Sequence, residues 1–338
     1  MLQHPLARPS ALVPLVLFAV LALVPFIAQA IGEPFYIALF ARIIIYAIAA
    51  SALNLALGYG GLVSFGHALF FGIGAYGVAL PVFHGIDNGW VHLILVFGVC
   101  GVAAAVTGAI SLRTSGIAFI MITLAFAQMG FFLFVSLKRY GGDDGLSIAQ
   151  ASRFGPLNLG DTGAVYACAF LVLALATWCL AQLRAAPFGM VLRAARQNPR
   201  RVATVGLPVS QYQLTAYVMS GMLCGLAGFL LANLNAFASP STMAWTVSGE
   251  LIVIVVLGGM GTVFGPLLGA FVLLGLEEII KGYTDHSMVV LGPMILLIAL
   301  AGKSGIIGLL QKLDHAAARP APVPAKPTRA THANGGEG

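Results

Sequence analysis

Long apolar stretches, each closed by a short polar or glycine-rich segment, dominate this chain. They lie near 11–31, 36–57, 62–83, 91–112, 115–137, 163–182, 211–236, 246–259, 261–280 and 286–302. A helix needs about 20 mostly apolar residues to cross the hydrocarbon of a bilayer. Backbone that faces lipid must satisfy its hydrogen bonds within its own segment, so the pattern predicts spanning α-helices. The expected fold class is all-α, a polytopic transmembrane helical bundle of about 8–10 spans, some broken or re-entrant. The stretch at 246–259 is too short to cross alone and is the first candidate for a broken element.

Composition agrees with this pattern. Hydrophobic residues make up 59% of the chain and charged residues 8%, against about 25% charged in soluble domains. Mean hydropathy is +0.97. The net charge of +6 does not indicate a nucleic-acid partner, because the excess arginines cluster between apolar runs, as in cytoplasmic loops. An N-terminus inside and ten spans would put Arg8, Arg113, Arg184, Arg193, Arg196, Arg200, Arg201, Lys303, Lys312, Arg319, Lys326 and Arg329 in the cytoplasm. Lys138, Arg139, Arg153 and Lys281 would lie outside, a bias of twelve to four.

The expected organisation is a cytoplasmic N-terminus at 1–10, a transmembrane domain at 11–314 and a disordered cytoplasmic tail at 315–338, rich in Ala and Pro. Within the membrane domain, 138–162 is an external loop and 183–210 the main cytoplasmic loop. Ala28-Gln29-Ala30 resembles a signal-peptidase site. The preceding run is long for a signal peptide and interrupted by Pro14 and Pro25, so an uncleaved first span is expected.

Glycine is concentrated in blocks. One holds Gly58, Gly60, Gly61 and Gly66; another holds Gly258, Gly259, Gly261 and Gly265. Such blocks permit broken helices where backbone lines a cavity, or close helix contact. Both blocks pass from a glycine-rich turn to a Val-x-Phe-Gly or Val-Phe-Gly run, as an internal duplication would leave.

Little here points to chemistry. Ser64 and His67 would share a helix face, but the Gly-x-Ser-x-Gly setting of a serine nucleophile is absent. Cys100, Cys168, Cys179 and Cys224 sit inside apolar runs at spacings that fit neither a metal site nor a disulfide framework. Asp143 and Asp144 lie between glycines and read as a turn rather than a calcium site. Arg42, Glu250, Glu277 and Glu278 are ionisable groups inside apolar stretches. Such groups are costly to bury and draw attention to function. Glu250 is the best placed of them for ion coupling.

The loop at 183–210 carries the clearest local signal. Asn198 can cap a short helix that begins at Pro199 and runs to about 205. Gly206 is placed to end it, and Pro208 prevents it from resuming. A stiff helix held at the membrane surface can dock in a groove of a soluble partner.

Five ordered blocks then carry a resemblance. They are Leu53-Asn54-Leu55 through Gly58-Tyr59-Gly60-Gly61-Leu62-Val63-Ser64-Phe65-Gly66-His67-Ala68 to Gly72-x-Gly74-Ala75-Tyr76; Met121 to Met129; Gly141-Gly142-x-x-Gly145-Leu146; Phe188-Gly189 through Arg196-Gln197-Asn198-Pro199-Arg200-Arg201 to Gly206; and Ala227-Gly228 with Gly258 to Pro266. The chain resembles the permease subunits of ABC importers for branched-chain amino acids, in their LivM-like branch. It departs from that pattern at Ala118 and Tyr140, which bear on the substrate.

The resemblance implies a transport subunit, not an enzyme, in a bacterial inner membrane. Its partners would be lipid, a second related permease, two cytoplasmic ATPases and an extracytoplasmic binding protein. It implies no cofactor on this chain, with ATP and Mg held by the ATPases. A phosphate-binding Gly-x-x-x-x-Gly-Lys-Ser/Thr loop is absent from the sequence. Arg193, Arg196, Gln197, Asn198, Arg200, Arg201 and Gly206 would form the coupling loop. The candidate translocation path is Asn54, Ser64, His67, Thr123, Gln128 and Glu250. Other readings stay open at this point: a permease for urea or short amides, an ion-coupled secondary transporter, and an intramembrane hydrolase.

Overall fold

The computed structural model describes residues 9–155 and 157–284, with short pieces at 289, 292–293 and 305–308. The expected span at 286–302 falls almost wholly outside the described residues, as do 1–8 and the tail at 315–338.

The described chain is helical from end to end. Its helices are α1 (Pro9–Ile31), α2 (Pro34–Asn54), α3 (His67–Phe83), α4 (Gly89–Ser111), α5 (Ile117–Ser136), α6 (Thr162–Ala185), α7 (Pro187–Gln197), α8 (Pro199–Thr204), α9 (Val209–Asn235), α10 (Trp245–Gly258) and α11 (Gly265–Lys281). Local chemistry sets several starts. Asn88 accepts from Trp90 N–H at 3.0 Å and opens α4. Asp161 accepts from Ala164 N–H at 3.1 Å and opens α6. These caps satisfy amide donors that lack a partner inside the first turn.

Among the described residues, five helices are long and apolar enough to cross a membrane unaided, counting α2 with its extension to Tyr59. Helix α2 ends in a π-helical turn, Leu55–Tyr59. Helices α2 and α9 are mostly buried within the chain, whereas α4 and α5 expose most of their surface. The core is therefore α2, α3 and α9, with the others packed around it. Backbone meets backbone where α3 crosses α9. A methyl group at Gly74 would lie 2.0 Å from Gly225 O, and one at Gly228 would lie 1.8 Å from Phe71 O. Small residues let membrane helices approach in this way.

The sequence pattern at 62–83 is only partly helical. Helix α3 begins at His67, and 61–66 is extended and irregular, with Gly61 at φ +71°. With 17 residues, α3 is about 25 Å long. His67 meets Ser220 near the middle of α9, so α3 starts deep within the bundle. Segment 61–66 is thus a non-helical stretch that leads from the face holding 59–63 into the bundle, where α3 takes the chain on to the opposite face. The expectation that Ser64 and His67 share a helix face is corrected accordingly: Ser64 precedes the helix.

The short element near 246–259 is helix α10, 14 residues and about 21 Å long. A 3-10 turn at Pro240–Met243 leads into it, and Met243 fills the notch left by Gly72 on α3. Helix α10 ends at Gly258, and a glycine turn carries the chain into α11.

The connections sort onto two faces. On one, strand β1 (Leu146–Ser147) pairs antiparallel with β4 (Phe237–Ala238), and β2 (Arg153–Phe154) pairs with β3 (Leu157–Asn158). Arg153 N–H donates to Asp87 O at 2.9 Å, and its side chain lies 3.7 Å from the Asp87 carboxylate. The opposite face, termed the arginine face below, gathers 59–63, 112–116 and 186–208, with 259–264 against them.

Candidate functional site

The non-helical segment 61–66 is held by side chains from three other helices. Thr123 of α5 accepts from Phe65 N–H at 3.2 Å. Ser248 of α10 donates to Phe65 O at 2.7 Å and accepts from Ala68 N–H at 2.9 Å. Ser64 Oγ accepts from Gly66 N–H at 3.1 Å and lies 3.4 Å from the Tyr217 hydroxyl of α9. Broken backbone deep in a bilayer must find partners in the protein, and these polar groups supply them.

Helix α3 is tied down at its first residue. His67 Nε2 lies 2.7 Å from Ser220 Oγ, and Ser220 in turn donates to Ala52 O on α2. A serine hydroxyl has one proton, and the carbonyl of Ala52 takes it. His67 must therefore donate from Nε2, which leaves Nδ1 as the bare nitrogen. Nδ1 is buried without a hydrogen-bond partner.

A second node sits beneath, at the arginine face. Asn54, the last residue of α2, accepts from Gly261 N–H at 2.9 Å and donates to Thr262 O at 2.7 Å. It joins the break after α2 to the turn between α10 and α11. Arg196 of α7 donates to Gly58 O within that same break. The two glycine blocks of the sequence are thus the two helix breaks, and they meet each other.

Helices α7 and α8 form an angled pair on the arginine face. Asn198 Oδ1 accepts from Arg201 N–H at 3.1 Å, capping α8, and Gly206 takes φ +87° just beyond its end. Arg193 donates to Gly189 O at 3.3 Å and Arg184 O at 3.1 Å, which folds it back on its own loop. Gln197, Arg200 and Arg201 are exposed. Between the two helices lies a groove of about 450 Å³, lined by Met190, Val191, Ala194, Val202, Val205 and Leu207 among others. Met190 and Val205 are open to the surroundings.

The polar residues singled out in the sequence separate into two groups. Asn54, Ser64, His67 and Thr123 are fully buried and engaged with other segments of the chain. Gln128 on α5 and Glu250 on α10 are half-buried. Of the glycines, Gly58, Gly60, Gly61 and Gly66 lie in or beside the first break, and Gly258, Gly259, Gly261 and Gly265 bound the second. The guanidinium of Arg42 lies 5.7 Å from the Tyr46 ring centroid, and Glu277 pairs with Lys281 at 2.7 Å. Among the described residues, no group of three or more His, Cys, Asp or Glu could hold a metal ion.

Sequence reasoning missed Ser220, Tyr217, Ser248 and Thr262. The first three are hydroxyls in or beside apolar stretches, and only the crossing of α3, α9 and α10 reveals what they bond; Thr262 enters through its backbone carbonyl, which accepts from Asn54. Helix α7 was also missed. Its signal is Pro187 at the first position, followed by apolar residues at helical spacing: Val191, Leu192 and Ala195.

Spans interrupted by glycine turns, with the breaks facing each other at the base of the bundle, define the architecture of a membrane transport protein. The chain belongs to the family described as branched-chain amino acid transport system / permease component, which it matches over residues 35–299. It is therefore a multi-pass permease subunit rather than an enzyme. It is 28% identical over 304 residues to the high-affinity branched-chain amino acid transport system permease protein LivM of Escherichia coli K12, covering 81% of this chain and 71% of that protein. LivM of Salmonella typhimurium is 29% identical, over 78% and 68% of the two chains. LivH of Escherichia coli K12 is 23% identical, over 78% of this chain and 91% of LivH. No solved structure matches.

Proposed function

We propose that this chain is a transmembrane permease subunit of an ABC importer for branched-chain or other hydrophobic amino acids. The family match carries this reading: it extends from 35 to 299, a range that takes in both helix breaks and α7–α8. In this reading the arginine face is cytoplasmic, and both termini lie on that side in a bacterial inner membrane. The positive charge of 184–201 supports that orientation.

The partners follow from the same reading. Relatives named LivM and LivH are both similar to this chain, which favours a pair of related permeases. Two cytoplasmic ATPases would bind ATP and Mg and meet α7–α8. The open groove between those helices suits an apolar side chain from such a partner. An extracytoplasmic binding protein would deliver substrate to the opposite face. Substrate choice rests mainly with that protein, because tight binding within the permease would slow release.

The test is reconstitution of the chain with its second permease, both ATPases and the binding protein in proteoliposomes. Uptake of labelled leucine should require ATP and the binding protein. Uptake by this chain alone, driven by an ion gradient, would overturn the reading.

A further inference from the structure

We propose that Arg196 is a positioning residue for transport: it latches α7 to the break after α2, which Asn54 ties to the turn between α10 and α11, so that movement of α7–α8 is passed to the non-helical segment 61–66. The proposal rests on the reading of α7–α8 as the element that receives ATPase motion.

The latch consists of two sets of hydrogen bonds joined through the backbone of 54–58, and it links three segments distant in sequence. In the break after α2, Gly61 N–H takes Leu57 O and Leu62 N–H takes Ala56 O. The carbonyl of Gly58 is bonded instead by the Arg196 guanidinium. A cation at this position also faces the negative end of the α2 dipole. From the other side, Asn54 closes on Gly261 and Thr262 through both ends of its amide. Arg196, Gly58, Asn54 and Gly261 thus form one connected node.

The backbone and side chains of that node approach closely. A methyl group at Gly58 would lie 2.0 Å from Asn54 Oδ1 and 2.6 Å from Gly261 N. One at Gly61 would lie 2.8 Å from Arg196 Cγ, and one at Gly261 would lie 3.1 Å from Gly58 O and 3.4 Å from Arg196 Nη1. A shift of α7 therefore bears directly on Gly58 and Gly61, where segment 61–66 begins. Neighbouring arginines lack this reach. Arg196, Arg200 and Arg201 are all exposed residues, and Arg193 bonds within its own loop; among the described residues the Arg196 guanidinium alone of the four bonds the break after α2.

There is also room for the segment to move. A cavity of about 340 Å³ lies beside the latch, lined by 60–63, the turn between α4 and α5, Ala195, Arg196, Pro199 and Gln213. Packed interfaces shift between discrete arrangements rather than deforming continuously, and this cavity gives the segment space for such a shift.

The experiment uses the complete assembled complex in proteoliposomes, with leucine uptake and ATP hydrolysis measured on the same sample. Arg196→Ala should co-purify with its partners and keep ATPase activity stimulated by the binding protein. Leucine moved per ATP should fall about tenfold, the scale of one charge-assisted hydrogen bond. Arg196→Lys, which can still donate to one carbonyl, should recover at least half of the ratio. Asn54→Ala should reproduce the loss although Asn54 is fully buried, and the double variant should be no worse than either single one.

A parallel fall of ATPase and uptake at an unchanged ratio would make Arg196 a docking residue and overturn the proposal. Additive losses in the double variant would do the same. If Asn54→Ala does not accumulate, the Arg196 series decides. A second readout needs no substrate: Leu62→Cys, in a background with the four native cysteines replaced, is labelled with a water-soluble maleimide. Adding Arg196→Ala should raise the labelling rate severalfold, and an unchanged rate overturns the latch. Wild-type complex that labels as expected but moves no leucine would count against the transport reading alone.

Discussion

Ser248 bonds Phe65 and the residue three further on with a single hydroxyl: it donates to Phe65 O at 2.7 Å and accepts from Ala68 N–H at 2.9 Å. The two partners flank the point where the non-helical segment becomes helix α3. Neither group has a helical partner there, and Ala68 N–H is buried while Phe65 O is part-buried. Ser248 therefore replaces the hydrogen bonds that an unbroken helix would have made for itself.

Ser248→Ala should accordingly cost about 2 kcal/mol, because two buried backbone groups lose their partner at once. Thermal unfolding of the purified protein in detergent checks this, with Ser248→Thr as the control that keeps the hydroxyl. A midpoint unchanged from wild type in Ser248→Ala would mean that the break is held elsewhere.

Ser220 serves two partners in the same way, accepting from His67 and donating to Ala52 O. Ser220→Ala leaves the His67 N–H unpaired in the core and removes one hydrogen bond from the Ala52 carbonyl, which keeps the Leu55 N–H. Destabilisation of about 1–3 kcal/mol is expected. His67→Gln retains an N–H donor and should be milder than His67→Leu. If His67→Leu proved as stable as His67→Gln in the same unfolding assay, the hydrogen bond would not be what fixes the start of α3.

The α3–α9 crossing makes the strongest structural prediction. Gly228→Ala would place a methyl group 1.8 Å from Phe71 O, which is backbone and cannot step aside. The helices must part, and loss of folded protein from the membrane fraction is expected. Gly98→Ala is the matched control, since a methyl group there would meet nothing within 4 Å. It should accumulate as wild type does.

How much of this was legible in the sequence depends on the distance a signal must travel. Helical spans are set by runs of local apolarity, so α2, α4, α5, α6 and α9 fall within a few residues of the pattern. The cap at Asn198 and the stop at Gly206 are equally local, because each acts within one helical turn. The glycine blocks showed that breaks occur, but not that Asn54 joins them across more than 200 residues. Ser64 was misjudged because an apolar run was read as helix, although Gly60 and Gly61 stand at its start. Hydrogen bonds such as that of His67 to Ser220 depend on which helices cross, and a single sequence carries no periodic trace of that.

The final prediction separates two roles within one loop. Arg200 and Arg201 on α8 are exposed, as is Arg196 on α7, but Arg196 differs in that its guanidinium donates to Gly58 O. If α8 meets an ATPase, the first two arginines act on association and Arg196 acts on coupling. Replacing Arg200 and Arg201 together with Ala should weaken binding of the ATPases severalfold, and the deficit should shrink as salt rises, because exposed charges are screened within about 8 Å at physiological ionic strength. At ATPase concentrations high enough to restore binding, leucine moved per ATP should return to the wild-type value. Arg196→Ala should behave in the opposite way, with normal binding at all salt concentrations and a low transport ratio that excess ATPase does not correct. Titrating ATPase into permease proteoliposomes at two ionic strengths distinguishes the outcomes. Identical behaviour of the two variants would mean that the loop acts as one charged surface, with no division between docking and transmission.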